Sequence, residues 1–232
     1  GLALELYCAR LVDELATGEA DAAREAGTLL EVLTPIAKSW PSEWCLEANS
    51  LAIQVLGGYG YTRDFMVEQY WRDNRLNMIH EGTHGIQALD LLGRKVVMDD
   101  GAGLRLLARR IGATAERAGA VEGFAAQAGE LTAALHKLGA ATRSAWATGV
   151  PEEALANATP YLQAFGHVVL AWLWLDVALA AARSGGALGA FGEGKLAAMR
   201  YFYAYELPRI DAWLGVVSRR ESLVREVPED AF

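Results

Sequence analysis

Apolar residues recur at steps of three and four along most of this chain, the spacing that lines one face of an α-helix. Leu4, Tyr7, Leu11 and Leu15 make one such face, and Ala26, Leu29, Leu30, Leu33, Ala37 and Trp40 make the next. Pro41-Ser42-Glu43 reads as a restart, with Ser42 as N-cap of a helix running through Trp44, Ala48, Leu51 and Val55 to the Gly57-Gly58 pair. Two more helices are predicted, from about Val67 to Met78 and from about Thr83 to Val97, separated by His80-Glu81-Gly82. Further on, Phe124, Ala128, Leu131, Leu135, Leu138, Thr142 and Ala145 keep the seam spacing of a bundle helix, which Gly149-Val150-Pro151 ends. The stretch after Pro160 is apolar on most sides and belongs at the centre; Leu196 to Val217, mixing aromatic and basic residues, belongs at the periphery. No alternating run bounded by hairpin turns interrupts the pattern, so the predicted fold class is all-α, one helical bundle followed by a second.

Composition and charge refine this picture. With 53% hydrophobic and 22% charged residues and 6 prolines among 232, the chain has the make-up of a folded domain. The uncharged run from Ala154 to Leu175 is long enough for a membrane span, but Asn157, Pro160, Gln163 and His167 interrupt it, so a buried helix is expected. The net charge of -8 argues against a basic groove for nucleic acid. That charge is uneven: residues 1–100 hold 8 basic and 16 acidic groups, and the remainder holds 13 of each. Asp99-Asp100-Gly101-Ala102-Gly103 marks the change, which sets expected domains at 1–99 and 100–232. Cys8 and Cys45 are too few for a disulfide framework and sit among apolar neighbours, where a buried thiol acts as a small hydrophobe; a reducing cytoplasm is expected. The opening segment carries Glu5, Arg10, Asp13 and Glu14 and does not read as a signal peptide.

Two segments carry candidate chemistry. In Gln54-Val55-Leu56-Gly57-Gly58-Tyr59-Gly60-Tyr61 the glycines permit positive φ and close backbone approach, so their N–H groups either face a diphosphate or simply stop a helix and turn the chain. In Ile79-His80-Glu81-Gly82-Thr83 the glutamate is either a base or an acid that complements a helix dipole, with Thr83 as N-cap. Scattered His136, His167 and Asp176 do not suggest a site, and no histidine reads as a metal ligand. The Trp172/Trp174 pair and the Tyr201-Phe202-Tyr203-Ala204-Tyr205 run are expected to pack in the core.

Joined by Glu68-Gln69-Tyr70-Trp71-Arg72-Asp73, these two segments resemble the C-terminal helical domain of flavin-dependent acyl-CoA dehydrogenases. That family's pattern is a Gln-x-x-Gly-Gly-x-Gly-aromatic loop, an Arg-Asp on the next helix, then Glu-Gly-Thr. The match covers residues 1 to about 97. The rest resembles the extra C-terminal domain of a long subgroup that includes 3-methylmercaptopropionyl-CoA dehydrogenases. The resemblance implies that Gln54, Gly57, Gly58, Gly60 and Thr83 help hold FAD, the loop doing so across a subunit interface. Glu81 is then the base that removes the α-proton of an acyl-CoA thioester, its own N–H polarising the carbonyl. Gly82 lets substrate approach, and His80 either lines the acyl pocket, tunes Glu81 or is a partly exposed histidine without a catalytic role. An electron-transferring flavoprotein as acceptor and a homo-oligomer follow from the same likeness. Gly85, where many relatives carry glutamine, and His80, where they carry an aromatic residue, depart from the pattern. Arg72 and Asp73 are assigned to an ion pair and helix packing, and His84 to the surface. The N-terminal helical domain and β-barrel of such enzymes are not in this sequence, so Glu81 is expected at an open surface and the fragment alone inactive. Two other readings remain open: a non-catalytic helical association domain, and an acyl-CoA oxidase of the same fold.

Overall fold

In the computed structural model, which describes residues 1–231, Leu4 and Leu11 of helix α1 (Leu2–Thr17) bury themselves against Leu29, Leu33 and Ile36 of helix α2 (Ala20–Leu56). The second helix has 37 residues and is roughly 55 Å long at 1.5 Å per residue. Pro35 and Pro41 lie inside it, each removing a backbone donor, yet it does not restart at Pro41 as the sequence suggests. Both prolines are buried against the core, and packing there outweighs the lost hydrogen bonds. Ser42 therefore caps nothing: its Oγ donates back to the carbonyls of Lys38 (3.0 Å) and Ser39 (2.9 Å). Cys45, expected among the buried residues, is exposed on the next turn; Cys8 is half-buried, and burial pushes its thiol up to about 11.

A short turn, Gly57–Tyr61, leads to α3 (Val67–Asn74), which tightens through Arg75–Met78 before the loop to α4 (His84–Asp90). A π-turn at Leu91–Lys95 follows, and Asp99, Asp100 and Gly101 then take left-handed φ values of 50°, 55° and 77° at the start of α5 (Met98–Gly119). Those three residues redirect the chain at the position where its charge balance changes. The remaining helices are α6 (Ala125–Ala145), α7 (Pro151–Leu155), α8 (Ala158–Arg183), α9 (Gly189–Tyr201), α10 (Ile210–Arg219) and α11 (Leu223–Glu226). Among the described residues there is no strand.

Helix α8 is central, touching α2, α4, α5, α6, α9 and α10. Among the described residues it is the single helix long and apolar enough to cross a membrane, and 78% of that apolar window is buried inside the bundle. Its polar contacts knit it to its neighbours: Tyr161 Oη lies 2.7 Å from Thr142 Oγ1, Trp172 Nε1 donates to Thr114 Oγ1 at 2.9 Å, and Tyr203 Oη donates to the Ala171 carbonyl at 3.1 Å. The core is continuous from Leu4 to Val217 and so crosses the bend near residue 100. Trp146 Nε1 also bridges that bend, donating to the Leu92 carbonyl at 3.2 Å.

Two expectations about the aromatic residues change. Leu196 to Val217 is not one helix, because a π-turn at Phe202–Glu206 and a tight turn at Leu207–Arg209 divide α9 from α10. This rotates Phe202 and Tyr203 into the core while Tyr201 and Tyr205 stay exposed and stack on each other, centroids 4.8 Å apart. Trp172 is buried at 5% exposure, whereas Trp174 is only partly covered and lines an open groove with Trp44, Trp71 and Tyr201.

Candidate functional site

Glu81 sits in the loop between the Arg75–Met78 turn and α4, and its backbone is left-handed at φ 55°, a conformation that costs a residue with a side chain. Gly82 follows at φ 106°, where a Cβ would meet Gln87 Nε2 at 2.7 Å. Thr83 then caps α4, its Oγ1 accepting from the Ile86 N–H at 3.4 Å. Three loop carbonyls receive side-chain donors. Gln87 Nε2 reaches the Glu81 carbonyl at 3.2 Å, while Lys38 Nζ on α2 donates to the Asn77 carbonyl at 3.1 Å and to the Gly82 carbonyl. The Glu81 N–H is bonded to no backbone carbonyl among the described residues. Its carboxylate stands free, with 80% of the side chain exposed, and Oε1 lies 3.8 Å from His80 Nε2.

Glu81, His80, Lys38, Asn77 and Cys45 line one hollow of about 310 Å³. Glu5, Asn74 and the α2 residues Ala37, Pro41 and Ser42 complete its wall. The Lys38 ammonium is held below the usual lysine range by desolvation, partly countered by the Glu81 charge.

The glycine loop lies elsewhere. Gly57 ends α2 with φ 60° and ψ −141°, its N–H donating to the Gln54 carbonyl. Of the three glycines, each of which permits positive φ, Gly57 alone adopts it. Gly60 is needed for another reason, since a Cβ there would meet the Ile53 carbonyl oxygen at 2.7 Å. Gly58 is open, with nothing within 4 Å of a Cβ, and Gln54 is exposed beside it. Val55, Tyr59 and Tyr61 around the loop are also exposed, an apolar rim on a bare backbone stretch.

The sequence-predicted residues thus fall into two groups. His80, Glu81, Gly82 and Thr83 cluster in one loop; Gln54, Gly57, Gly58 and Gly60 form the other group, 19 residues up α2 from Lys38 to Gly57, or roughly 28 Å at 1.5 Å per residue. Arg72 makes its ion pair with Glu68, at 2.7 Å, not with Asp73, because only Glu68 lies one helical turn away. That pair holds the Glu68 carboxyl below its usual range. His84 is not a surface residue: its side chain is 16% exposed, lies 3.7 Å from Glu43, and burial lowers its proton affinity. Sequence reasoning missed Lys38 and Gln87. The signal for Lys38 was present, since it is the one charge in the otherwise uncharged run Val32-Leu33-Thr34-Pro35-Ile36-Ala37-Lys38-Ser39-Trp40-Pro41.

Residues 2–97 match the family described as acyl-CoA dehydrogenase, C-terminal domain, and residues 107–228 match the family described as acetyl-CoA dehydrogenase C-terminal like. The chain is 34% identical to 3-methylmercaptopropionyl-CoA dehydrogenase of Ruegeria pomeroyi over 74% of its length and 30% of that protein's. It is 28% identical to butyryl-CoA dehydrogenase of Syntrophomonas wolfei over 98% of its length and 39% of the relative's. A shorter stretch, 25% of the chain and 15% of the relative, is 41% identical to the caffeyl-CoA reductase-Etf complex subunit CarC of Acetobacterium woodii. The chain therefore spans 30% and 39% of the first two relatives, about a third of their length.

Proposed function

The chain belongs to the acyl-CoA dehydrogenase family, and we propose that it is the C-terminal part of a flavoprotein that oxidises acyl-CoA thioesters to 2,3-enoyl-CoA. Its contribution is the base, Glu81, and part of the FAD site. The observation that carries this reading is the free Glu81 carboxylate on a loop whose carbonyls are tied by Lys38 and Gln87. A base must be ionised, accessible to substrate and fixed in place, and this one has a fixed backbone and a free head.

The residues present fit FAD. Gly57 and Gly58 leave open space where side chains would stand, so a diphosphate can come close to the loop backbone, and the exposed Gln54 amide is a donor one turn away. When bound, the flavin accepts the β-hydride of the substrate. Glu81 takes the α-proton, and the pair of electrons left behind forms the new carbon–carbon double bond as the hydride departs. The Glu81 N–H, free of any backbone partner, is a donor for the thioester carbonyl, where negative charge builds as the proton leaves. His80 stands at the same hollow and is assigned to its acyl-binding wall.

The roughly 28 Å between the glycine loop and the Glu81 loop along α2 supports two further assignments. The two groups serve different flavins, the glycine loop reaching across to a second subunit, so the working form is a homo-oligomer. The exposed Val55, Tyr59 and Tyr61 suit burial in that contact. The kinship with a subunit named for an Etf complex favours an electron-transferring flavoprotein as acceptor.

Glu81→Gln in the flavin-loaded protein tests the reading. It is expected to keep FAD and lose turnover by about a hundred- to ten-thousand-fold, the usual worth of a positioned general base. Turnover at the wild-type rate would assign the proton transfer to another group.

A further inference from the structure

Lys38 holds two carbonyls that bracket the catalytic loop, Asn77 before Glu81 and Gly82 directly after it. Between them the backbone takes a left-handed turn at Glu81 (φ 55°) and an unusual one at Gly82 (φ 106°). A non-glycine residue adopts such a conformation only when its surroundings impose it. The loop has few other ties: Gln87 Nε2 to the Glu81 carbonyl, and the Ile79 and His80 N–H groups to the Leu76 carbonyl at 3.0 Å each. Its side chains are largely exposed, so packing does not set its shape.

Lys38 is suited to the task by where it stands. It sits on the middle of the longest helix, between the buried Ile36 and Ser39, and α2 is anchored on both sides of it by the core. Its stem crosses the wall of the hollow, and its ammonium arrives among Asn77, His80 and Glu81. A lysine gives three donors at one point, and two of them are spent on the loop carbonyls. The cost of desolvating that ammonium, which lowers its proton affinity, is borne in the fold without any direct ion pair to a carboxylate within 4 Å among the described residues.

We propose that Lys38 is a positioning residue for the reaction: it latches the Asn77–Gly82 loop to α2 and so holds Glu81 in the left-handed geometry from which its carboxylate enters the hollow. This rests on Glu81 being the base. Removing the latch leaves the α2 wall of the hollow in place and frees Glu81 together with His80, so its larger effect falls on the chemical step.

The test uses Lys38→Met and Lys38→Arg in the flavin-loaded protein, with Glu81→Gln in parallel. Lys38→Met keeps the stem and removes both charge and donors. It is expected to lower kcat by roughly ten- to a hundred-fold, the effect of a misplaced catalytic group. KM should change by a clearly smaller factor than kcat, since the α2 side of the hollow stays in place and of the acyl-binding wall only His80 lies on the freed loop. Amide hydrogen exchange at residues 77–83 should quicken by about tenfold or more while α2 and α8 keep their protection. Lys38→Arg, which keeps charge and donors, is expected to restore part of both kcat and protection. Should Lys38→Met fail to retain flavin, Lys38→Gln, with a neutral amide donor on a shorter stem, carries the same comparison. Wild-type kcat in the neutral variant, or a fall in kcat with exchange at 77–83 unchanged, overturns the proposal. The outcomes separate the two ideas: an active Glu81→Gln removes the base assignment, whereas an inactive Glu81→Gln beside a fully active Lys38→Met removes only the latch.

Discussion

Acidification is expected to weaken this bundle through one imidazole. His167 on α8 is completely buried, ringed by Trp40, Trp44, Phe202 and Trp213. Trp40 Nε1–H can only donate, and it lies 3.1 Å from His167 Nδ1, so that nitrogen is the acceptor and the proton of the neutral ring is on Nε2. The charged groups facing it are Glu206, 3.8 Å from Nε2, and Arg209, which pairs with Glu206 at 3.1 Å. Desolvation pushes the His167 pKa down to about 4 from 6.5, with the Gln163 carbonyl raising it and Arg209 lowering it further. At neutral pH the ring is uncharged, and its approach to Glu206 is not an ion pair. Between pH 6.5 and 4 the unfolded chain binds a proton that the folded chain refuses, so stability is full above this window and falls as pH drops through it. The loss is roughly 2 to 3 kcal/mol by about pH 4.5, a large share of the 5–15 kcal/mol of a typical domain. Urea unfolding at a series of pH values would measure it, with His167→Gln as the reference that cannot titrate. Wild type minus variant should show the loss; identical pH profiles for the two proteins would falsify the assignment to His167.

Trp172→Ala should destabilise the protein by about 3 to 5 kcal/mol in thermal or urea unfolding, because it empties a buried site and removes one of the donors to Thr114 Oγ1, while turnover per folded, flavin-loaded molecule stays near wild type. Trp174→Ala, at the edge of the open groove, should cost clearly less in the same assay. Gly166→Ala should lower stability by about 1 to 3 kcal/mol, since its Cβ would stand 2.4 Å from Trp40 Cδ1 in the packed centre. Gly58→Val meets no neighbour and should leave unfolding unchanged while reducing FAD content; stoichiometric flavin in that variant would remove the loop from the cofactor site.

The helices themselves were legible in the sequence, because periodicity records which face of each helix loses contact with water, and that is a local pattern. The bend at Asp99–Gly101 was legible for the same reason: two acids at a helix end and a glycine state a local preference. The order of the glycine loop, Arg-Asp and Glu-Gly-Thr segments marked the candidate chemistry without any coordinates. Other features depended on partners distant along the chain. Pro41 signals a helix start by propensity, yet its burial against the core keeps α2 continuous, so tertiary packing reversed the local rule. Phe202 and Tyr203 face inward and Tyr201 and Tyr205 outward because a π-turn shifts the phase of the helix by one residue, which periodicity averaged over the segment cannot register. His167, one of several scattered histidines in sequence, is surrounded by aromatic rings from three separate segments only once α2, the Phe202–Glu206 turn and α10 pack around α8. The same holds for Lys38: 44 residues separate it from Gly82, and no local pattern encodes which carbonyl a lysine will meet across a bundle. Local sequence determined the elements and marked the candidate segments, while the close packing of α2 against the rest decided which groups stand together, because burial is settled by neighbours and not by sequence order.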